Sequence, residues 1–416
     1  MTSMDSNLRV DGGRLWSSLM EMAKIGATAK GGVNRLTLTD LDKESRALFS
    51  RWASEAGCDV RVDKMGSMFA RREGTDPALP PVMVGSHLDT QPTGGKFDGA
   101  LGVLSALELV RTLDDLVIKT RYPIEIVNWT NEEGSRFAPA MVGSAVFAGL
   151  VALEDAFAIA DVEGKTLGAE LERIGYLGSE PVGQKPVHAF FEVHIEQGPI
   201  LEEEDIDIGV VTIANGQKWY EIRLEGQESH AGPTPMARRH DALLGAARII
   251  ERVNAIGHAH DPAACATCGM IEVHPNSRNV IPGSVFLTVD LRHPDGDKLI
   301  SMDKALRAGV EEIAEATGLT VDLKTVADWA PVPFDPNCVD AVRRAARELG
   351  FSSRDIWSGA GHDAVNMARV APTAMVFTPC IDGISHNEAE NIKPEWATAG
   401  ANVLLRAVLE MAEVVD

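Results

Sequence analysis

Apolar runs that end in a histidine or a carboxylate recur along this chain, and they constrain its fold more than any other feature. Pro81-Val82-Met83-Val84-Gly85-Ser86 delivers His87 and, two residues on, Asp89. Ile124-Glu125-Ile126-Val127-Asn128-Trp129 leads to the adjacent pair Glu132-Glu133, and Ala189-Phe190-Phe191-Glu192-Val193 leads to His194. Runs of this length and character read as buried strands. The tips of strands on an open α/β sheet are where ligand sites form. With Asp98 and His386 the set is imidazole and carboxylate, with no thiolate nearby, which suits a hydrolytic Zn, Mn, Co or Ni site. These residues point to a metallohydrolase.

Composition narrows the alternatives. At 416 residues the chain is too long for one ordinary core, so two domains are expected. A formal charge of −22 argues against a nucleic-acid partner and against anionic membrane surfaces. Five cysteines are odd in number and sparse, which fits a reducing cytoplasm rather than a disulfide framework. Cys265-Ala266-Thr267-Cys268 has the spacing of a zinc or redox pair, but no second pair follows it, and it lies in an apolar run, so it reads as ordinary strand residues. The N-terminal stretch, 1–11, is polar and lacks a signal core, and no run is long enough to span a bilayer.

The order of elements sets the fold class. Helical periodicity over 12–56, broken at Gly31-Gly32, precedes a hairpin-like alternation over 59–71. The strand to His87, a Gly-rich loop around Asp98, a helix over 101–113 and the strand to Glu132-Glu133 follow. Strand, helix, strand in that order predicts an α/β domain with a doubly wound, mostly parallel sheet. From about residue 212 the texture changes. Two amphipathic helices among about four strands suggest an inserted α+β domain over 212–330. The first domain then comprises 1–211 and 331–416.

His87-x-Asp89, Gly95-Lys96-Phe97-Asp98-Gly99, Asn131-Glu132-Glu133-Gly134, His194-Ile195-Glu196-Gln197-Gly198 and Ser385-His386 together resemble one known group. It is the hydantoinase/carbamoylase family of amidases, a branch of the dinuclear-metal aminoacylase and carboxypeptidase superfamily. The likeness runs from about residue 14 to the C-terminus. It implies two divalent ions per subunit, Zn, Mn, Co or Ni, bridged by Asp98. His87 and His194 would hold one ion, and Glu133 and His386 the other. Asp89 would fix the His87 imidazole from behind. Glu132, which points away from its neighbour on an extended backbone, would be the general base.

The resemblance also implies a homodimer in which the inserted domain serves as a dimerisation or lid element. His230 would reach a partner's site and polarise the scissile carbonyl, while Asn279 and Arg292 hold the substrate's α-carboxylate near the interface. Arg292 ends a strand and reads equally as a surface arginine. Gln197, Gly361 and His362 resemble further substrate contacts. The expected reaction is hydrolysis of N-carbamoyl-L-amino acids to amino acid, carbon dioxide and ammonia by water that the metals activate. A β-ureidopropionase differs by one methylene, which a pocket discriminates by only ~1–3 kcal/mol. An allantoate amidohydrolase, a dipeptidase and a catalytically inactive binding relative are the other readings.

Overall fold

The computed structural model describes residues 8–183 and 185–415. Residues 1–7, which open the polar N-terminal stretch, lie outside them. No helix among the described residues is long and apolar enough to cross a membrane. The chain divides into two compact units, one of residues 1–212, 333–356 and 360–416, the other of residues 213–332 and 357–359.

The first unit is built on a nine-stranded sheet. Its central strands, Ile124–Trp129, Val82–His87, Ala189–Ile195 and Thr373–Thr378, are buried along their whole length and pair in parallel. Their apolar runs show no alternation because both faces are covered. The strands on either side of this group pair with it antiparallel. Asp59–Val62 and Met68–Arg72 form the expected hairpin, since the few residues between them can only turn the chain back on itself. Ile208–Ala214 also runs antiparallel, against Thr373–Thr378. The sheet is therefore mainly parallel at its centre, the part that carries the site.

Helices Gly12–Met22, Ala100–Asp115, Pro336–Leu349 and Pro394–Ala412 pack against one another and against the central strands. The helical pattern over 12–56 resolves into Gly12–Met22 and Asp40–Glu55, separated by a non-helical stretch longer than the Gly31-Gly32 break alone requires. Asp42 and Arg46 form a fully buried ion pair in the second of these helices, and Arg46 also donates to Gly66 O and Thr130 Oγ1.

The second unit is a five-stranded antiparallel sheet beside helices Ala242–His258 and Gly296–Thr317. Tyr220, Ile222 and Leu224 from one strand meet Ile249, Val253, Leu306 and Val310 from the helices in one apolar core. Four strands were expected. The fifth arises because one edge is interrupted: Cys265–Thr267 and Ile271–His274 both pair with Ser284–His293, on either side of Gly269. Cys265 and Cys268 belong to this interrupted edge, and both are free thiols. A separate two-stranded element joins Ser229–His230 to Val280–Ile281.

Candidate metal centre

Because the central strands are parallel, their carboxyl ends fall on one edge of the sheet, and each hands a ligand-type side chain to that edge. His87 closes its strand, paired with Trp129. Three and four residues beyond Trp129 come Glu132 and Glu133. His194 pairs with Phe377, whose strand leads to the loop bearing Ser385 and His386. Asp98 stands just before helix Ala100–Asp115. Gly99 between them has φ +65, a conformation that suits glycine, and its N–H donates to His194 Nε2 at 3.3 Å.

The five residues read as ligands come together in two groups that share Asp98. One is His87, Asp98 and His194; the other is Asp98, Glu133 and His386. Asp98 Oδ1 lies 3.1 Å from His194 Nε2 and 3.4 Å from His87 Nε2. Asp98 Oδ2 lies 3.4 Å from His386 Nε2, which is 3.5 Å from Glu133 Oε2. His87 and His194 are buried, whereas His386 is half exposed, so the second group faces outward.

The backbone fixes the ring tautomers. His87 Nδ1 bonds to Asp89 O and His194 Nδ1 to Ile195 O, each at 2.9 Å. A carbonyl only accepts, so each Nδ1 carries a proton and Nε2 is the ring nitrogen on the Asp98 side. For Asp89 this differs from the expectation in detail. Its carbonyl holds the imidazole, while its carboxylate, 3.8 Å from the ring, accepts the N–H groups of Glu132 and Glu133. Buried Arg35 donates to Leu88 O from behind this turn.

The electrostatics suit a cation. Among the described residues, no lysine or arginine forms an ion pair with Asp98, Glu132 or Glu133. Burial raises the Glu132 carboxyl well above the usual range; Asp363, Glu133 and Asp89 add to this, and His87 opposes it. Burial and Asp98 push Glu133 up to about 7. Burial opposes a charged His87, but Glu132, Asp98 and Asp89 outweigh it and hold the ring well above its ordinary value. Carboxylates in excess, buried and without a lysine or arginine partner, are the donor set that divalent ions neutralise.

Backbone strain collects here as well. Asn131, Gln197 and His386, on three different loops of this edge, all have φ between +54 and +60. A non-glycine residue in that region costs of order 1 kcal/mol and persists where the surroundings enforce it.

Other residues singled out from the sequence fall in varied places. Gln197 donates to Asp98 Oδ2 at 2.8 Å, so its amide is on a ligand. His362, read as a further substrate contact, is buried. Its ring is buried edge-on against His194 and lies 5.6 Å from Phe377, because the loop it shares with Gly361 tucks under the strand tips. His230 and Asn279 sit side by side on the second unit, where Ala231 N–H donates to Asn279 O. His230 Nδ1 accepts from Gly232 N–H at 3.1 Å, which leaves the proton of a neutral ring on Nε2. The Arg292 guanidinium is engaged by Asp290 at 2.8 Å and by Gly359 O at 2.9 Å.

The sequence reading passed over three further residues. Gln91 donates to Glu133 Oε2 at 2.6 Å. Glu192, a carboxylate inside an apolar strand, accepts from Ser86 Oγ and Ala364 N and forms a third close group with His194 and His362. Its signal was available as the one charge in Phe190-Phe191-Glu192-Val193. Glu390 contacts the Asp98 loop and had only its place four residues after His386 to mark it.

The model of peptidase family M20/M25/M40 matches residues 83–410 of this chain. The chain belongs to that family. Within it, an N-carbamoyl-L-amino-acid amidohydrolase of Rhizobium meliloti is 56% identical over 416 residues, covering all of both chains. The crystal structure of a hydantoinase/carbamoylase family amidase from Burkholderia multivorans superposes with a TM-score of 0.94 at 63% identity, covering 97% of this chain and 98% of that one. An allantoate amidohydrolase of Bacillus subtilis is more distant, at 33% identity over 94% of this chain and 95% of its own length. The M20 chain is thus a hydantoinase/carbamoylase-type member, and its imidazole and carboxylate cluster fits the metal dependence typical of such enzymes.

Proposed function

We propose that this protein hydrolyses N-carbamoyl-L-amino acids to the free amino acid, carbon dioxide and ammonia, using two divalent ions. The observation that carries the reading is Asp98, whose two oxygens face separate ligand groups, as a bridging carboxylate must. Full-length similarity to a relative named for this activity supports the substrate class.

His87 and His194 would hold one ion, Glu133 and His386 the other, with Asp98 between them. Bound divalent ions supply Lewis acidity and bring a water's pKa from 15.7 towards ~7. Glu132, with Oε2 3.5 Å from His87 Nε2, takes the proton of the attacking water and delivers it to the departing nitrogen. Asp89 sets the direction of that carboxylate by holding the peptide N–H groups of Glu132 and Glu133. The Nε2–H of His230 is the kind of neutral donor that carries developing charge on a carbonyl oxygen. Asn279 and Arg292, the latter oriented by Asp290, bind the substrate carboxylate. Gln197, Gly361 and His362 line or support the substrate space.

The second unit serves as dimerisation and lid element, with His230 acting in a partner's site. Exposed Leu244 and Ile250 on helix Ala242–His258 and the outer strand Ile271–His274 support a covered face in a homodimer. Five free cysteines fit the cytoplasm.

The test is product release from the Mn-, Co-, Ni- and Zn-loaded protein. The panel holds N-carbamoyl-L-methionine, its D-enantiomer, N-carbamoyl-β-alanine, allantoate and a dipeptide. Turnover of the L-carbamoyl compound, alone or with the β-alanine one, is expected. Turnover of allantoate or the dipeptide alone, or of nothing on the panel, refutes the reading.

A further inference from the structure

Glu390 is 2% exposed, and no step of the proposed reaction uses it. Its Oε1 accepts the N–H groups of Phe97 at 3.0 Å and Asp98 at 3.1 Å. Its Oε2 lies 2.9 Å from Ser385 Oγ, next in sequence to His386. One buried carboxylate therefore ties the loop bearing Asp98 to the loop bearing His386, two members of the outward-facing group. The loop before Asp98 is built to admit it. A Cβ at Gly95 would overlap the Glu390 carboxylate, so only glycine lets the loop close on it.

Proton counting gives this clamp a further consequence. Ser385 Oγ lies 2.9 Å from Asp98 Oδ2 as well as from Glu390 Oε2. A hydroxyl has one proton, so it donates to one carboxylate at a time. Donation to Asp98 engages the oxygen that faces His386. Donation to Glu390 leaves that oxygen with no hydroxyl proton on it, the Gln197 amide remaining as a side-chain donor. The amide of Gln197, 3.3 Å from Ser385 Oγ, donates to the hydroxyl and does not compete for its proton.

We propose that Glu390 is a positioning residue: it draws the Ser385 proton to itself and so keeps Asp98 Oδ2 available to the outer divalent ion. The inference rests on the two-ion reading. It predicts which half of the centre fails when Glu390 is altered, and in which chemical sense.

The test uses the full chain stripped of metal and titrated with CoCl2, followed by calorimetry and visible absorption. The parent protein should take up two ions in separable steps. Glu390→Gln keeps an oxygen for the Phe97 and Asp98 N–H groups but offers Ser385 an amide donor, which sends the hydroxyl proton to Asp98. One step should weaken about 10–100-fold while the other is unchanged. Circular dichroism and the melting temperature of the metal-free protein should match the parent. Adding Ser385→Ala should restore the weakened step, because no hydroxyl proton is left to compete. A purely structural clamp would lose more in the double variant, and that result would overturn the proposal. So would parent-like binding of both ions by Glu390→Gln. If Glu390→Gln does not fold, Ser385→Ala alone decides: outer-ion affinity at or above the parent's supports the proposal, and a tenfold loss sinks it. Uptake of a single ion by the parent would remove the two-ion reading and this inference with it.

Discussion

A single methyl group at Gly99 tests how tightly the centre is packed. Gly99 has φ +65, and a Cβ there would stand 2.5 Å from Nε2 of His87, where real Cβ atoms keep at least 3.0 Å. The imidazole is 1% exposed and pinned through Nδ1 to Asp89 O, so it has nowhere to go without losing that bond. Gly99→Ala should therefore cost about 1–2 kcal/mol for the left-handed backbone and about 1 kcal/mol for the hydrogen bond. Relief of the clash moves His87 by roughly 1 Å, a displacement that can lower activity about 100-fold. Gly175→Ala is the matched control, with φ +78 and nothing within 4 Å of its Cβ. It should lose only about 1 kcal/mol and keep full activity. Urea unfolding of the metal-free variants gives the stabilities, and initial rates on N-carbamoyl-L-methionine give the activities. Gly99→Ala with parent-like activity and the stability of Gly175→Ala would refute the claim that His87 is held by contact with this loop.

Three further outcomes are expected. Glu132→Gln should lower kcat by about 10²–10⁴ while cobalt uptake stays at the parent's stoichiometry; loss of an ion would instead make Glu132 a ligand. Asp42→Ala strands the buried Arg46 charge and should destabilise the protein by about 3–5 kcal/mol, read from urea midpoints at constant m-value. Asp63 is pushed up to about 7 by burial, against the N–H of Ser67 that it accepts. Its folded pKa exceeds its unfolded one, so the associated stability is complete below pH ~4 and is lost as pH rises through about 7. Asp63→Asn should equal the parent near pH 4 and exceed it by about 1–4 kcal/mol at pH 8; a constant difference across that range would contradict the burial argument.

His87 and His194 were legible as candidate ligands because each sits at the tip of a strand. Val82–His87 and Ala189–Ile195 are buried on both faces, so their apolar runs are uninterrupted, and the first histidine at the tip stands out. Glu192 was missed for the opposite reason, since it lies inside such a run and its partners, Ser86 and the Ala364 N–H, come from distant segments. The burial of His362 at the end of its Gly-Ala-Gly-His loop left no sequence signal either, since it depends on packing against His194 and Phe377 from other segments. The antiparallel pairing of Ile208–Ala214 and the interrupted edge of the second sheet were out of reach, because pairing direction depends on which strand a neighbour meets.

The sequence by itself determined what is local. It set the strand and helix periodicities, the change of texture near residue 212 and the order of imidazoles and carboxylates along the chain. Local backbone geometry and burial patterns act over a few residues, so they leave a trace that one chain can show. Only the tertiary structure decided that Asp98 turns one oxygen to His87 and His194 and the other to His386. It likewise decided that the carbonyl of Asp89, not its carboxylate, fixes the His87 tautomer, and that Glu390 closes on Gly95. Each of these is a distance between atoms on separate segments, set by how strands stack into a sheet and how their loops fold back over its edge.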